Sequence, residues 1–246
     1  MPEPSKGGTP NRGSAPGCDR VGAIVLFVVV GAAINLAMIK ALLMLIRPAP
    51  TWEGIATAGR GLLFVLFLYL LPLILLTSVV EGYGLHRWGK WQKGEVSYLK
   101  KFSEPEAVVV EAAHTVLLLV LAFVGALAAK SFAGTFHRRH TYTHAFTAIA
   151  YGLGPLLVLR MADLSPDITP WVPWGVGIVL TVSVLYHGLP CVLRPDPPHA
   201  IGLYFLTSLT LMVIAGLVQL IYVFYVEGRF RGLEKIVNDL IGGLPA

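Results

Sequence analysis

The chain is 246 residues long, 55% apolar and only 13% charged, with a formal net charge of +5 and a mean hydropathy of +0.70. A soluble domain of this length is not so apolar, and the small basic excess sits in short loops beside apolar runs, so the composition excludes a nucleic-acid-binding domain and indicates an integral membrane protein. The two cysteines, Cys18 and Cys191, are too few for a disulfide framework, and no Cys-x-x-Cys pair suggests a redox or zinc site.

Residues 1–20 are rich in Pro, Gly, Ser and charge and read as a disordered tail. Residues 21–39 then hold one polar side chain, Asn35, and the helical pattern continues past Lys40 to Ile46, which predicts an additional N-terminal transmembrane helix over 21–46. Residues 61–80 form the second apolar run, with Pro72 predicting a kink at its middle. Further spans are expected over 112–129, 141–159, 168–192 and 200–226. Between the second and third, residues 81–111 mix Trp88, Trp91, Tyr98 and Phe102 with Arg87, Lys90, Lys93, Lys100 and Lys101, as an interfacial segment does. After the last span, Phe230, Leu233, Ile236, Val237, Leu240 and Ile241 recur at helical spacing, which predicts an amphipathic C-terminal helix over 227–246. If the first run spans, lysine and arginine concentrate on the side of both termini and place them in the cytoplasm; if it lies flat, the charge count is nearly even.

Two motifs share the pattern Tyr, three residues, Pro on adjacent spans of opposite direction: Tyr151-Gly152-Leu153-Gly154-Pro155 and Tyr186-His187-Gly188-Leu189-Pro190. The second predicts a broken helix end, and a shared polar niche between Tyr151 and Tyr186 is one reading of the pair, since glycine- and proline-broken helices point to transporter sites. The stronger reading is close helix packing through glycine together with a kink. Five histidines, His137, His140, His144, His187 and His199, fall on one membrane side. Imidazoles at 137, 140 and 144 can share a helical face and hold a metal or haem, yet a His-Arg-Arg-His segment beside a span is better read as a headgroup-contacting boundary. Glu111-x-x-His114 is half of a carboxylate-bridged di-iron pattern, but no second half occurs, so Glu111 reads as a capping or interfacial residue. No span carries a charge at its middle, and no motif pairs a nucleophile with a base. Neither an enzyme nor a bound cofactor or metal is expected.

Ile46-Arg47-Pro48 with Thr51-Trp52-Glu53-Gly54-Ile55, Thr141-Tyr142-Thr143 leading to Tyr151 and Gly154-Pro155, and Tyr186, Gly188, Leu189 and Pro190 with Pro195, Pro198 and Ala200 come in an order and spacing that resembles the Yip domain family. These are multi-span membrane proteins named for Ypt/Rab interaction, with bacterial relatives, and the resemblance covers residues 46–226. It implies an all-α polytopic fold with a five-helix core over 47–226, to which the first span is an addition. It further implies a bacterial-type, non-enzymatic member in the cytoplasmic (inner) membrane that serves membrane organisation, trafficking-like processes or assembly of a membrane complex. The partners expected are the lipid bilayer and other membrane proteins or a second copy of the chain, with no nucleic acid. The rival classes are a small-solute or ion permease and a metal- or haem-binding membrane subunit.

Overall fold

A backbone amide finds no water in hydrocarbon, so each apolar run must satisfy its own polar groups, and it does so as a helix. The computed structural model describes residues 18–92, 98–135, 141–195 and 197–229. Along them run α1 (Cys18–Ile46), α2 (Pro48–Ala58), α3 (Leu62–Arg87), an antiparallel hairpin of β1 (Lys90–Gln92) and β2 (Tyr98–Lys100), α4 (Glu104–Thr135), α5 (Tyr142–Gly152), α6 (Gly154–Arg160), α7 (Trp171–Leu193) and α8 (Ala200–Val226). A 3-10 turn, Met161–Leu164, follows α6, and another, Pro197–His199, precedes α8. Five segments are long and apolar enough to cross a membrane: α3, α4, α5 with α6 through Leu164, α7 and α8. The protein is all-α and polytopic. The predicted tail up to residue 17 and the amphipathic helix beyond residue 229 lie outside the described residues, as do His137 and His140.

The segment Tyr142–Leu164 is the centre of the bundle, 78% buried where the other four spans are half buried or less. Ala145, Ala148, Ala150, Gly152 and Gly154 are all buried along it, and small side chains let α4, α7 and α3 approach closely without a hydrophobic driving force between helices. The outer helices turn Val79, Val108, Val116, Val179, Ile201 and Phe205 outward, the expected surface towards acyl chains. The N-terminal run is contained in α1, which continues past Lys40 and buries Ala37, Ala41 and Met44 against the rest.

Three local readings change. The run over 112–129 is the middle of a longer helix, because Ser103 and Glu106 form a reciprocal capping box, backbone amide to side chain in each direction, that starts α4 well outside the hydrocarbon. At Pro72 the distortion precedes the proline: a π turn over Leu66–Leu70 lets the Leu71 amide bond the Leu66 carbonyl one residue further back than an α-helix would. The expected break at Gly188-Leu189-Pro190 does not occur. Helix α7 runs through Pro190 to Leu193 and stops where Arg194 turns left-handed, its amide returning to the Pro190 carbonyl at 3.0 Å. The true interruption is at Leu153, between α5 and α6.

Candidate functional site

Two assemblies of polar and aromatic side chains stand out, one towards each end of the bundle. In the first, α2 lies across α7 and drives Trp52 into the core, where it is fully buried. Its indole Nε1 donates to the Val184 carbonyl at 3.1 Å, and its ring covers Gly188 so closely that any Cβ there would overlap it. Trp52 also meets Tyr151 edge-on, with ring centroids 6.5 Å apart, and Tyr151 packs on Tyr69 at 4.2 Å. The Tyr69 hydroxyl donates to the Tyr151 carbonyl at 3.4 Å. That carbonyl is the one Pro155, lacking an N–H, leaves unpaired in the helix, and Gly154 provides the room for the hydroxyl to reach it. The motif residues Tyr151, Gly154, Pro155 and Gly188 thus act as docking points for aromatic side chains of α2 and α3, and Leu189 is buried core. Removing the Tyr69 hydroxyl should orphan a buried carbonyl, so Tyr69→Phe is expected to lose about 1 to 2 kcal/mol, read as a lower thermal midpoint of the detergent-solubilised protein.

Tyr186 is placed differently. It is 56% exposed and packs on His187 and Tyr204 at the rim of a groove of about 460 Å³ that is also lined by Trp52, Glu53, Pro190 and Cys191. Trp52 contacts Tyr151 on one side and this groove on the other, so the two tyrosines do not form the shared niche their pattern suggested. His144 is bonded to the Thr141 hydroxyl at 2.6 Å, His187 faces the groove and His199 sits in the turn before α8. None of these three belongs to a convergent set of metal-binding side chains among the described residues.

The second assembly is ionic and buried. Glu81 (1% exposed) comes from α3, Glu111 (6%) and His114 from α4, Arg160 (2%) from the end of α6, and Asp163 (2%) from the following turn. Arg160 Nη2 donates to Glu81 Oε2 and, at 2.9 Å, to His114 Nδ1. The His114 ring stacks on Tyr222 of α8 with centroids 4.1 Å apart. Ser78 and Thr115 bond each other at 2.9 Å beside Glu111. The turn is held in place because Gly84 allows α3 to touch the Leu164 backbone, and because Lys90 Nζ from the hairpin donates to the carbonyls of Ser165 (2.8 Å) and Ile168 (3.3 Å). Burial pushes the Lys90 ammonium below the usual lysine range, with Asp163, Glu81 and Asp167 opposing. At 1.5 Å per residue, Glu81 lies about 9 Å inside the end of α3, and His114 about 15 Å inside the start of α4, which places the cluster at or just within the hydrocarbon boundary.

This cluster corrects the reading of Glu111 as a capping or headgroup-facing residue, since its side chain is buried in the bundle. No charge stands at the middle of a span, but buried charge gathers towards one end from several chain positions that each look like the end of a span. A signal was present: Glu111 and His114 share the helical face of Leu118 and Leu121, which is the core-facing stripe of α4.

Five apolar spans, four of them around a central broken one, with aromatic docking points at one end and a buried ionic cluster towards the other, define a polytopic integral membrane protein. The family model of the Yip1 domain matches residues 42–220, more than half of the chain, and the protein belongs to that family. Searches of curated proteins and of solved structures find no significant match.

Proposed function

We propose that this protein is a non-enzymatic organiser of the bacterial cytoplasmic membrane, which assembles with other membrane proteins or with a second copy of itself in complex assembly or trafficking-like processes. The observation that carries this reading is the packing of the residues on which the family resemblance rests. Tyr151, Gly154 and Gly188 are consumed in closing the bundle around Trp52 and Tyr69, so they serve shape and not passage. Gentle purification followed by identification of what accompanies the protein tests it directly, with a defined membrane-protein partner or a homo-oligomer expected. Reconstitution into liposomes supplies the opposing result: solute or ion flux that Tyr186→Phe abolishes without altering abundance or thermal stability would replace the organiser by a permease. Under the proposal Tyr186→Phe is tolerated, because the exposed hydroxyl lies at a groove rim.

A permease is the second reading, favoured by the buried Glu81, Glu111, Arg160 and Asp163, since ionisable groups inside a membrane bundle are costly and mark pathways or coupling sites. Flux that is lost in Glu111→Gln and kept in Tyr186→Phe would select it.

The topology follows from α1 crossing the membrane as a sixth span. Cys18 and Cys191 are then expected on opposite faces. An impermeant thiol reagent on sealed, oriented vesicles, with each cysteine tested alone, should label one before and the other only after permeabilisation; labelling from the same face would leave α1 outside the spanning set.

A further inference from the structure

The ionic cluster has more acid than base and more acceptors than donors. Glu81, Glu111 and Asp163 face Arg160 and Lys90, so three carboxylates against two cations leave one negative charge in a buried setting. Both oxygens of Glu111, both of Asp163 and Oε1 of Glu81 have no hydrogen-bond partner among the described residues, and neither do Nε and Nη1 of Arg160. Such groups are strongly disfavoured in a low-dielectric interior unless something neutralises and binds them. One atom from each of Glu81, Glu111 and His114 lies within 4.8 Å of the other two, close enough to share a single ion. The third ligand missing from the Glu-x-x-His sequence is therefore supplied from another helix, α3.

We propose that Glu81, Glu111 and His114 bind a first-row divalent transition-metal cation, and that Arg160 is the counter-charge which exchanges with it. Two carboxylates and one imidazole suit zinc, manganese or ferrous iron, whereas magnesium and calcium prefer oxygen alone. The exchange has a geometric basis. With Arg160 donating to Nδ1 of His114, that nitrogen's lone pair is engaged and a metal cannot share it. Asp163 lies three residues further along the chain, within electrostatic reach of Arg160, and its two oxygens are unpartnered. A guanidinium that leaves Glu81 and His114 for Asp163 can meet that carboxylate side-on through Nε and Nη2, so one movement frees His114 for the ion and gives partners to Nε and to both oxygens of Asp163. Access is provided by a groove of about 690 Å³ between α3 and α4, lined by Ser78, Glu111 and Thr115, with His86 and Glu104 also lining it nearer the helix ends. His86 and the exposed Glu104 stand 3.8 Å apart there.

The test uses the full-length protein in detergent, stripped with a chelator and titrated with Zn²⁺ or Mn²⁺ alone. About one ion per chain should bind saturably and raise the thermal midpoint, and Mn²⁺ resonance or Zn²⁺ X-ray absorption should report an oxygen and nitrogen ligand set with a single imidazole. Glu111→Gln should abolish the shift, Asp163→Asn should weaken affinity about 10- to 100-fold as loss of an outer partner does, and the double variant of His144→Gln and His187→Gln should bind as the wild type does. The absence of saturable binding by the wild type overturns the proposal, and so does binding that Glu111→Gln leaves intact. Spectra with no imidazole overturn it without recourse to any variant. If Glu111→Gln raises stability while metal has no effect on either form, the excess charge is met by a proton shared among the acids, and the site is not a metal site.

Discussion

Arg160→Met should destabilise the bundle by about 3 to 5 kcal/mol, because removing one partner of a buried ion pair leaves the other charge uncompensated. Arg160 is the only cation bonded to Glu81 among the described residues, and it also holds His114, so its loss strands an acid on α3 and an imidazole on α4 at once. The effect should be largely charge and not volume. Combining Arg160→Met with Glu81→Gln is therefore expected to recover a good part of the loss, and a double-mutant cycle on thermal midpoints in detergent measures that coupling. If Arg160→Met and the wild type melt together, the cluster does not hold the helices in this arrangement.

Gly188→Leu should also destabilise the bundle, by about 1 to 3 kcal/mol, the cost of forcing extra methylenes into a packed core, read as a lower thermal midpoint. The obstacle is specific, since the ring of Trp52 occupies the space where the side chain would begin, and Trp52 is itself fixed by its bond to the Val184 carbonyl. Trp52→Ala alone should cost about 3 to 5 kcal/mol through the cavity it leaves. The pair should be strongly non-additive in the favourable direction, because leucine at 188 then fills part of that cavity. Additive losses would mean that α2 does not dock on α7 through this contact.

Much of the architecture was legible in the sequence for a solvent reason. In lipid only a helix or a closed barrel satisfies the backbone, and about 20 apolar residues are needed to cross, so hydropathy alone located the five spans and, at 200–226, even the limits of α8. The family was legible too, because the prolines and glycines around Tyr151 and Gly188 come at fixed separations along the chain. Elsewhere the apolar run is shorter than the helix that contains it. Charges at 111 and 130 look like the edges of a span, yet α4 continues past both, since a helix does not stop where the hydrocarbon does.

Only the tertiary structure decided what the motif residues and the boundary charges do. Trp52 and Val184 lie 132 positions apart, and Arg160 and Glu81 lie 79 apart. Pro155 announces that a carbonyl will lack its helical donor, but that Tyr69 supplies the replacement depends on where α3 packs. Glu81, Glu111, Arg160 and Asp163 each stand at the end of an apolar run, where a side chain can reach headgroups on one face of its helix or a neighbouring helix on the other. The rotation of each helix about its own axis makes that choice, and it is set by packing against the other helices, which no single segment encodes.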